Sequence, residues 1–248
     1  MPDLHILDLS ATNVHGDLTS LGYLPTLGQI DLSDTRVSGD LAGLGNLSRL
    51  YILQLRSTGV SGDLAGLEHL SSLQLLDLSS TSISGDLAGI AQLPNLYYVD
   101  LSSTSISGEL ASLGNLTNLG GIVLSNCSIH GDLEVLRNLT LTSAILHRNQ
   151  LSGVLPDLSV LELEHLTLHD NDLGGSIAGG FLPRNLSTLT LHGNHMSCRL
   201  PELSSAGENI STQVVLPGNW FEWPTPGWVR YADASLCDDP WQQRIDVW

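Results

Sequence analysis

Apolar residues along the chain fall into a repeating frame. With the first leucine of each unit as position 1, units begin at Leu4, Leu27, Leu50, Leu73, Leu96 and Leu119, each 23 residues after the last. Further starts fall at Leu141, Leu163 and Leu186, and a degenerate unit opens at Ser211. Within a unit the apolar positions are 1, 4, 6, 11 and 15, as at Leu73, Leu76, Leu78, Ile83 and Leu87. The alternation around positions 4 and 6 predicts a short strand, with a turn after it. No such unit encloses its own leucines. Near-identical segments, such as LSSTSISGDL at 78–87 and LSSTSISGEL at 101–110, must hide them by stacking.

Position 9 reads Thr12, Thr35, Thr58, Thr81, Thr104, Cys127, Asn149, Asn171, Asn194 and Asn219. Only small polar residues or cysteine occur there, as a ladder serving the inward-facing backbone of each turn requires. Position 13 is glycine in eight successive units from Gly16 to Gly175, which predicts a second bend with unusual backbone angles. The pattern LxxLxLxx(N/T/C)xL, at a period within the range of roughly 20–29 residues, resembles the leucine-rich repeat family from Leu4 to about Pro224. LSGVLP at 151–156 and the repeated ISGDL resemble the plant-type (LSGxIP) subclass found in receptor ectodomains and secreted inhibitors. Most units are one residue shorter than that subclass's usual unit, and Ala42, Ala65 and Ala88 stand where it has proline. Similar threonine-bearing repeats occur on protist surface proteins.

The resemblance implies an α/β-type solenoid, a right-handed superhelix of ten units. Its parallel β-sheet would line the concave face, with loops and short 3-10 segments on the convex face. The solenoid is expected over 1–223. All five tryptophans, from Trp220 to Trp248, fall at the end of the chain with four prolines, which predicts a C-terminal Trp/Pro-rich cap over 224–248. No comparable polar cap precedes Leu4, so an upstream module or a stacking partner is expected at the N-terminal end.

Outward positions 3, 5 and 7 form three columns on the strands. Position 5 reads Asp8, Asp31, Gln54, Asp77, Asp100, Val123, Ile145, Thr167, Thr190 and Val215. Position 7 reads Ser10, Ser33, Arg56, Ser79, Ser102, Ser125, His147, His169, His192 and Pro217. The face thus changes near Cys127 from aspartate and serine to aliphatic, threonine and histidine. Solenoids bind on such faces, so Asp8, Asp31, Arg56, Asp77, Tyr98, Asp100, His147, His169 and His192 are the candidate ligand-binding residues. Recent duplication of the units also accounts for the uniform first half.

His147, His169 and His192 raise the question of a metal. With strands about 4.8 Å apart, the outer two would stand about 9.6 Å from each other. Zinc needs each nitrogen at about 2.0–2.1 Å. Two neighbours can share an ion; three in line cannot without strain, and a solvated, pH-sensitive stripe is the alternative. EHLTLHDND at 164–172 is not a metal motif, since its two histidines sit about 13 Å apart along one strand.

Position 14 is acidic in six units: Asp17, Asp40, Asp63, Asp86, Glu109 and Asp132. Stacked about 5 Å apart, neighbouring pairs would repel by roughly 0.8 kcal/mol in water. Local backbone donors and hydration, or weakly bound calcium, would offset this.

The chain has 26 acidic and 9 basic residues, a net charge of -17 and no lysine. It therefore offers no basic face to nucleic acid or an anionic membrane. No apolar run is long enough to span a bilayer. Of three cysteines, Cys198 and Cys237 are the plausible disulfide between solenoid and cap, while Cys127 belongs to the ladder. Sequons at Asn46, Asn115, Asn126, Asn138, Asn185 and Asn209, with the plant-type resemblance, point to an extracellular or lumenal glycoprotein. No nucleophile–base pair, phosphate loop or enclosed carboxylate pair is present, so the chain is not expected to be an enzyme. The expected function is recognition of a basic protein or peptide through an acidic concave face. The alternative is a structural subunit of a surface layer or large assembly.

Overall fold

The computed structural model describes residues 3–176, 182–196 and 213–215. Ten short strands form one parallel sheet in chain order: Ile6–Asp8, Gln29–Asp31, Ile52–Gln54, Leu75–Asp77, Tyr98–Asp100, Gly121–Val123, Ser143–Ile145, His165–Thr167, Thr188–Thr190 and Gln213–Val215. Each is three residues long and turns its middle residue, position 4, inward. From Ile30 to Leu189 those inward residues are at most 1% exposed. The register matches like positions throughout, for example Leu75↔Tyr98, Leu76↔Val99 and Asp77↔Asp100. The strand of the degenerate unit pairs as its frame requires, Thr190↔Val215.

The turn after each strand depends on a left-handed residue at position 8. Ala11, Asp34, Ser57, Ser80, Ser103, Asn126, Arg148 and Asp170 all have φ between 53° and 57°. This conformation aims their N–H groups at the next unit, as in Ser80 N–H to Ser102 O at 2.9 Å, so the ladder extends past the strand. The chain then turns position 9 inward. Thr35, Thr58, Thr81 and Thr104 each donate to the position-6 carbonyl of their own unit at 2.6–2.7 Å.

A second parallel sheet follows, where the sequence pattern pointed only to turns and loops. Its eight strands are His15–Asp17, Arg36–Asp40, Gly59–Asp63, Ser82–Asp86, Ser105–Glu109, Ser128–Gly131, Gln150–Val154 and Asp172–Gly174. It shows no periodic signature because its strands bury at most one apolar residue each, as Ile83 in SISGD. Neighbours in this sheet slide by two residues, so Ser38 faces Gly59 and Asp40 faces Ser61. Short 3-10 segments close the units at Leu18–Tyr23, Leu41–Leu44, Leu64–Leu67, Leu87–Ile90, Leu110–Asn115 and Glu134–Asn138.

Between the sheets runs one continuous aliphatic core, with Leu73, Leu76, Leu78, Ile83 and Leu87 all at 0% exposure. At its N-terminal end Leu4, Leu7, Val14, Leu21 and Leu24 are only partly buried, and Ile6 and Leu9 are exposed. The expected cap, 224–248, and the Cys198–Cys237 pair lie outside the described residues.

Candidate ligand-binding face

The outward columns of the ten-stranded sheet are assembled in register. Position 5 runs Asp8↔Asp31↔Gln54↔Asp77↔Asp100↔Val123 across adjacent strands. Each aspartate is held by its own turn. Asp77 Oδ1 accepts from Ser79 N–H at 3.0 Å and Ser79 Oγ at 2.6 Å, and Asp100 does the same with Ser102 at 2.9 and 2.6 Å. Asp8 accepts from Ser10, and Asp31 from the Ser33 N–H.

Identical hydrogen bonds leave the two ends of this row in opposite electrostatic states. Exposed Asp8 is held below the usual carboxylate range by the Ser10 N–H and hydroxyl. Asp100 is pushed above it, first by burial and further by Asp77, against the Ser102 bonds and the distant Arg56. The Tyr98 hydroxyl is likewise raised, by burial and then by Asp100 and Asp77. Asp77 and Asp100 therefore form a partly desolvated like-charge pair beside a phenol.

Bare glycine backbone seats the aromatic residues of this face. A Cβ on Gly121 would lie 2.9 Å from Tyr98 Cδ2, one on Gly120 2.5 Å from Tyr97 Cε2, and one on Gly28 2.7 Å from Tyr51 Cε1. Tyr51 and Tyr97 thus join the candidate surface. The signal in the sequence is a glycine 23 residues away: GG at 120–121 after YY at 97–98, and Gly28 before Tyr51.

Beyond Cys127 the face is occupied by imidazoles. His147 and His169 stack at 4.2 Å between centroids with planes 10° apart, and His169 and His192 at 4.3 Å and 11°. His147 Nδ1 meets Thr167 Oγ1 at 3.2 Å and His169 Nδ1 meets Thr190 Oγ1 at 2.9 Å. The next position-5 residue is Val215, and the buried His192 Nδ1 has no hydrogen-bond partner. Burial first, then His147 and His192, pull His169 down to about 4, so it is neutral at physiological pH. Burial, then Arg148, lowers His147 as well. In-plane lone pairs of parallel rings run side by side, so the three rings in line do not converge on a single ion. One further residue approaches it: Asp170, whose carboxylate receives Arg148 Nε at 3.4 Å.

The acids at position 14 are placed differently from the expected column. The two-residue stagger sets Asp40 opposite Ser61, not Asp63. Successive carboxylate-bearing positions are thus diagonal neighbours, about 8 Å apart by strand geometry. All but Glu109 also have a backbone donor. Asp17, Asp40, Asp63, Asp86 and Asp132 accept the N–H two residues on at 2.8–3.0 Å. The first four cap 3-10 segments in doing so. Glu109 makes no side-chain cap bond. The position-13 glycines fit against these acids: a Cβ on Gly85, at φ 106°, would lie 2.6 Å from Asp63 Oδ1. Cys127 is a free thiol whose Sγ lies 3.2 Å from Leu101 O, in the ladder as expected. Asn46, Asn115, Asn126, Asn138 and Asn185 are exposed, and Asn209 lies outside the described residues.

Stacked units, an inward threonine and asparagine ladder and a ten-stranded parallel sheet make this chain a leucine-rich repeat protein, near the plant-type subclass. Among solved structures it resembles a plant peptide hormone receptor, RGFR1 in complex with RGF2, at 25% identity and TM-score 0.69, covering 89% of this chain and 44% of that one. It resembles the Arabidopsis receptor kinase HAESA in complex with the peptide hormone IDA and the co-receptor SERK1 at 26% identity and TM-score 0.72, covering 88% and 38%. A plant ice-binding protein matches at 25% identity and TM-score 0.73, covering 90% and 74%. The chain therefore spans less than half the length of the two receptor chains. No protein-family model and no curated protein matches it. Among the described residues no helix is long and apolar enough to cross a membrane.

Proposed function

We propose that the protein is a non-enzymatic recognition module that binds a basic protein or peptide across the ten-stranded sheet, in an extracellular or lumenal setting. The observation that carries this reading is the Asp77–Asp100 pair. Two adjacent carboxylates, one held above its usual range by burial, have no cationic side chain bonded to them among the described residues, and Tyr98 stands beside them. A lysine or arginine from a ligand would relieve their repulsion and meet the phenol ring. Asp8, Asp31 and a net charge of -17 would attract such a ligand from a distance. The peptide-bound receptors of the same fold support the mode of binding, and the five exposed sequons support the setting.

The test is the Asp77→Lys/Asp100→Lys double variant, compared with the parent for binding of a lysine-rich and a glutamate-rich peptide of equal length. The parent should prefer the lysine-rich peptide, more so at low salt. The variant should lose about tenfold or more in affinity and most of the salt dependence. Equal binding of both peptides by the parent, or unchanged affinity in the variant, rejects the reading.

A second reading, a subunit of a larger assembly, is favoured by Ile6 and Leu9, exposed beside the outer strand Ile6–Asp8. Light scattering decides it: a monodisperse monomer at high concentration removes it.

A further inference from the structure

We propose that His169, Asp170 and His192 form a site for one divalent transition-metal ion of the zinc, copper or nickel type. One ligand atom from each residue lies within 4.8 Å of the others, and no other such group of histidine, cysteine and carboxylate occurs among the described residues.

Three features of the fold bring them together. His169 and His192 occupy position 7 of adjacent units and stack at 4.3 Å. Asp170 follows His169 at the left-handed bend, φ 57°, which turns its side chain toward the neighbouring unit. That unit has Gly193 at the corresponding bend, and a Cβ there would collide with Asp170 Oδ1. Glycine after His192 thus makes room for the carboxylate next to the imidazoles.

The donors suit the ion class. Thr190 Oγ1 engages His169 Nδ1 at 2.9 Å, fixing the ring and leaving Nε2 as the ligand atom, as outer partners of metal-binding histidines do. Two imidazoles and one carboxylate favour zinc, copper or nickel over calcium or magnesium, which prefer all-oxygen shells. Bonds of about 2.0–2.1 Å require donor separations near 3.3 Å, so the rings must tilt out of their stack to close on the ion. No hydrogen bond from His192 Nδ1 opposes that tilt. Water would complete the coordination shell.

The experiment titrates the full chain with Co²⁺, read by its visible absorption, and then displaces it with Zn²⁺. One ion per chain should bind. His169→Ala, His192→Ala and Asp170→Asn should each weaken binding by about tenfold or more. Asparagine tolerates the left-handed backbone at 170, so that variant isolates the charge. His147→Ala and His165→Ala should stay within about threefold of the parent, and circular dichroism establishes that all variants are folded. The proposal is overturned if the folded parent binds neither ion at about millimolar concentration, a level at which even weak sites fill. It is equally overturned if binding survives Asp170→Asn and His169→Ala, or if His147→Ala is as damaging as His169→Ala.

Discussion

A single carboxylate takes its character from its rung as much as from its own bonds. Asp8 and Asp100 make the same contacts to a serine two residues on, yet burial beside Asp77 raises Asp100 while Asp8 is lowered. Between the ordinary carboxylate range and its raised value, Asp100 holds more proton in the native than in the unfolded chain. Stability contributed by the protonated form is therefore present in acid and lost as pH rises through that window, leaving the ionised form unfavourable at pH 7. Asp100→Asn keeps an oxygen for the Ser102 N–H and removes the charge. It should raise Tm at pH 7, with the gain shrinking as pH falls into the carboxylate range, measured by thermal melts across pH. A lower Tm at pH 7 would mean that the hydrogen bonds outweigh desolvation. The same substitution should weaken binding of the lysine-rich peptide, separating stability from recognition at one residue.

Among the elements, the ten-stranded sheet and its columns are legible in the sequence because alternation around positions 4 and 6 is strong and repeats in phase. The eight-stranded sheet is not, since a strand such as Ser82–Asp86 buries one apolar side chain and otherwise reads as a serine- and glycine-rich turn. Its stagger is invisible as well, which is why the position-14 acids seemed to stack face to face. The left-handed bends at position 8 leave no signal either, with Ala11, Ser57 and Arg148 all accepting the conformation there and glycine filling that position at Gly193. Asp170 was missed for that reason: its approach to His192 depends on the bend and not on spacing. The recurring acid, by contrast, has a local role that each 3-10 segment reveals. Asp86 caps Leu87–Ile90 through Ala88 N–H, while Glu109, one methylene longer, leaves Leu110–Asn115 without that bond. Asp86→Ala should cost about 1 kcal/mol and Glu109→Asp should add a similar amount, judged by urea denaturation. Equal, small effects from both would assign the segments' stability to leucine burial alone.

At the scale of the whole molecule, the ladder divides the solenoid into two kinds of coupling. In the threonine units Thr81 Oγ1 bonds only to Leu78 O of its own unit. In the asparagine units the side chain spans two: Asn171 Nδ2 donates to Leu168 O in its own unit and Leu146 O in the preceding one, while Oδ1 accepts the Leu151 N–H. Asn149 and Asn194 repeat this arrangement. A solenoid's stability is a sum of unit terms and nearest-neighbour terms, so these bonds act on the neighbour terms of the histidine-bearing half. Asn171→Thr keeps the bond within the unit and strands the buried Leu151 N–H, at a cost of about 1–3 kcal/mol. That loss falls at one interface and not across the chain. Hydrogen exchange should therefore show protection falling by up to about 100-fold around Leu151 and in the units that follow, with amides between Leu53 and Leu101 unchanged. A uniform fall across all units would mean that the solenoid opens as one body and that the asparagine ladder sets its overall stability rather than the coupling of its second half.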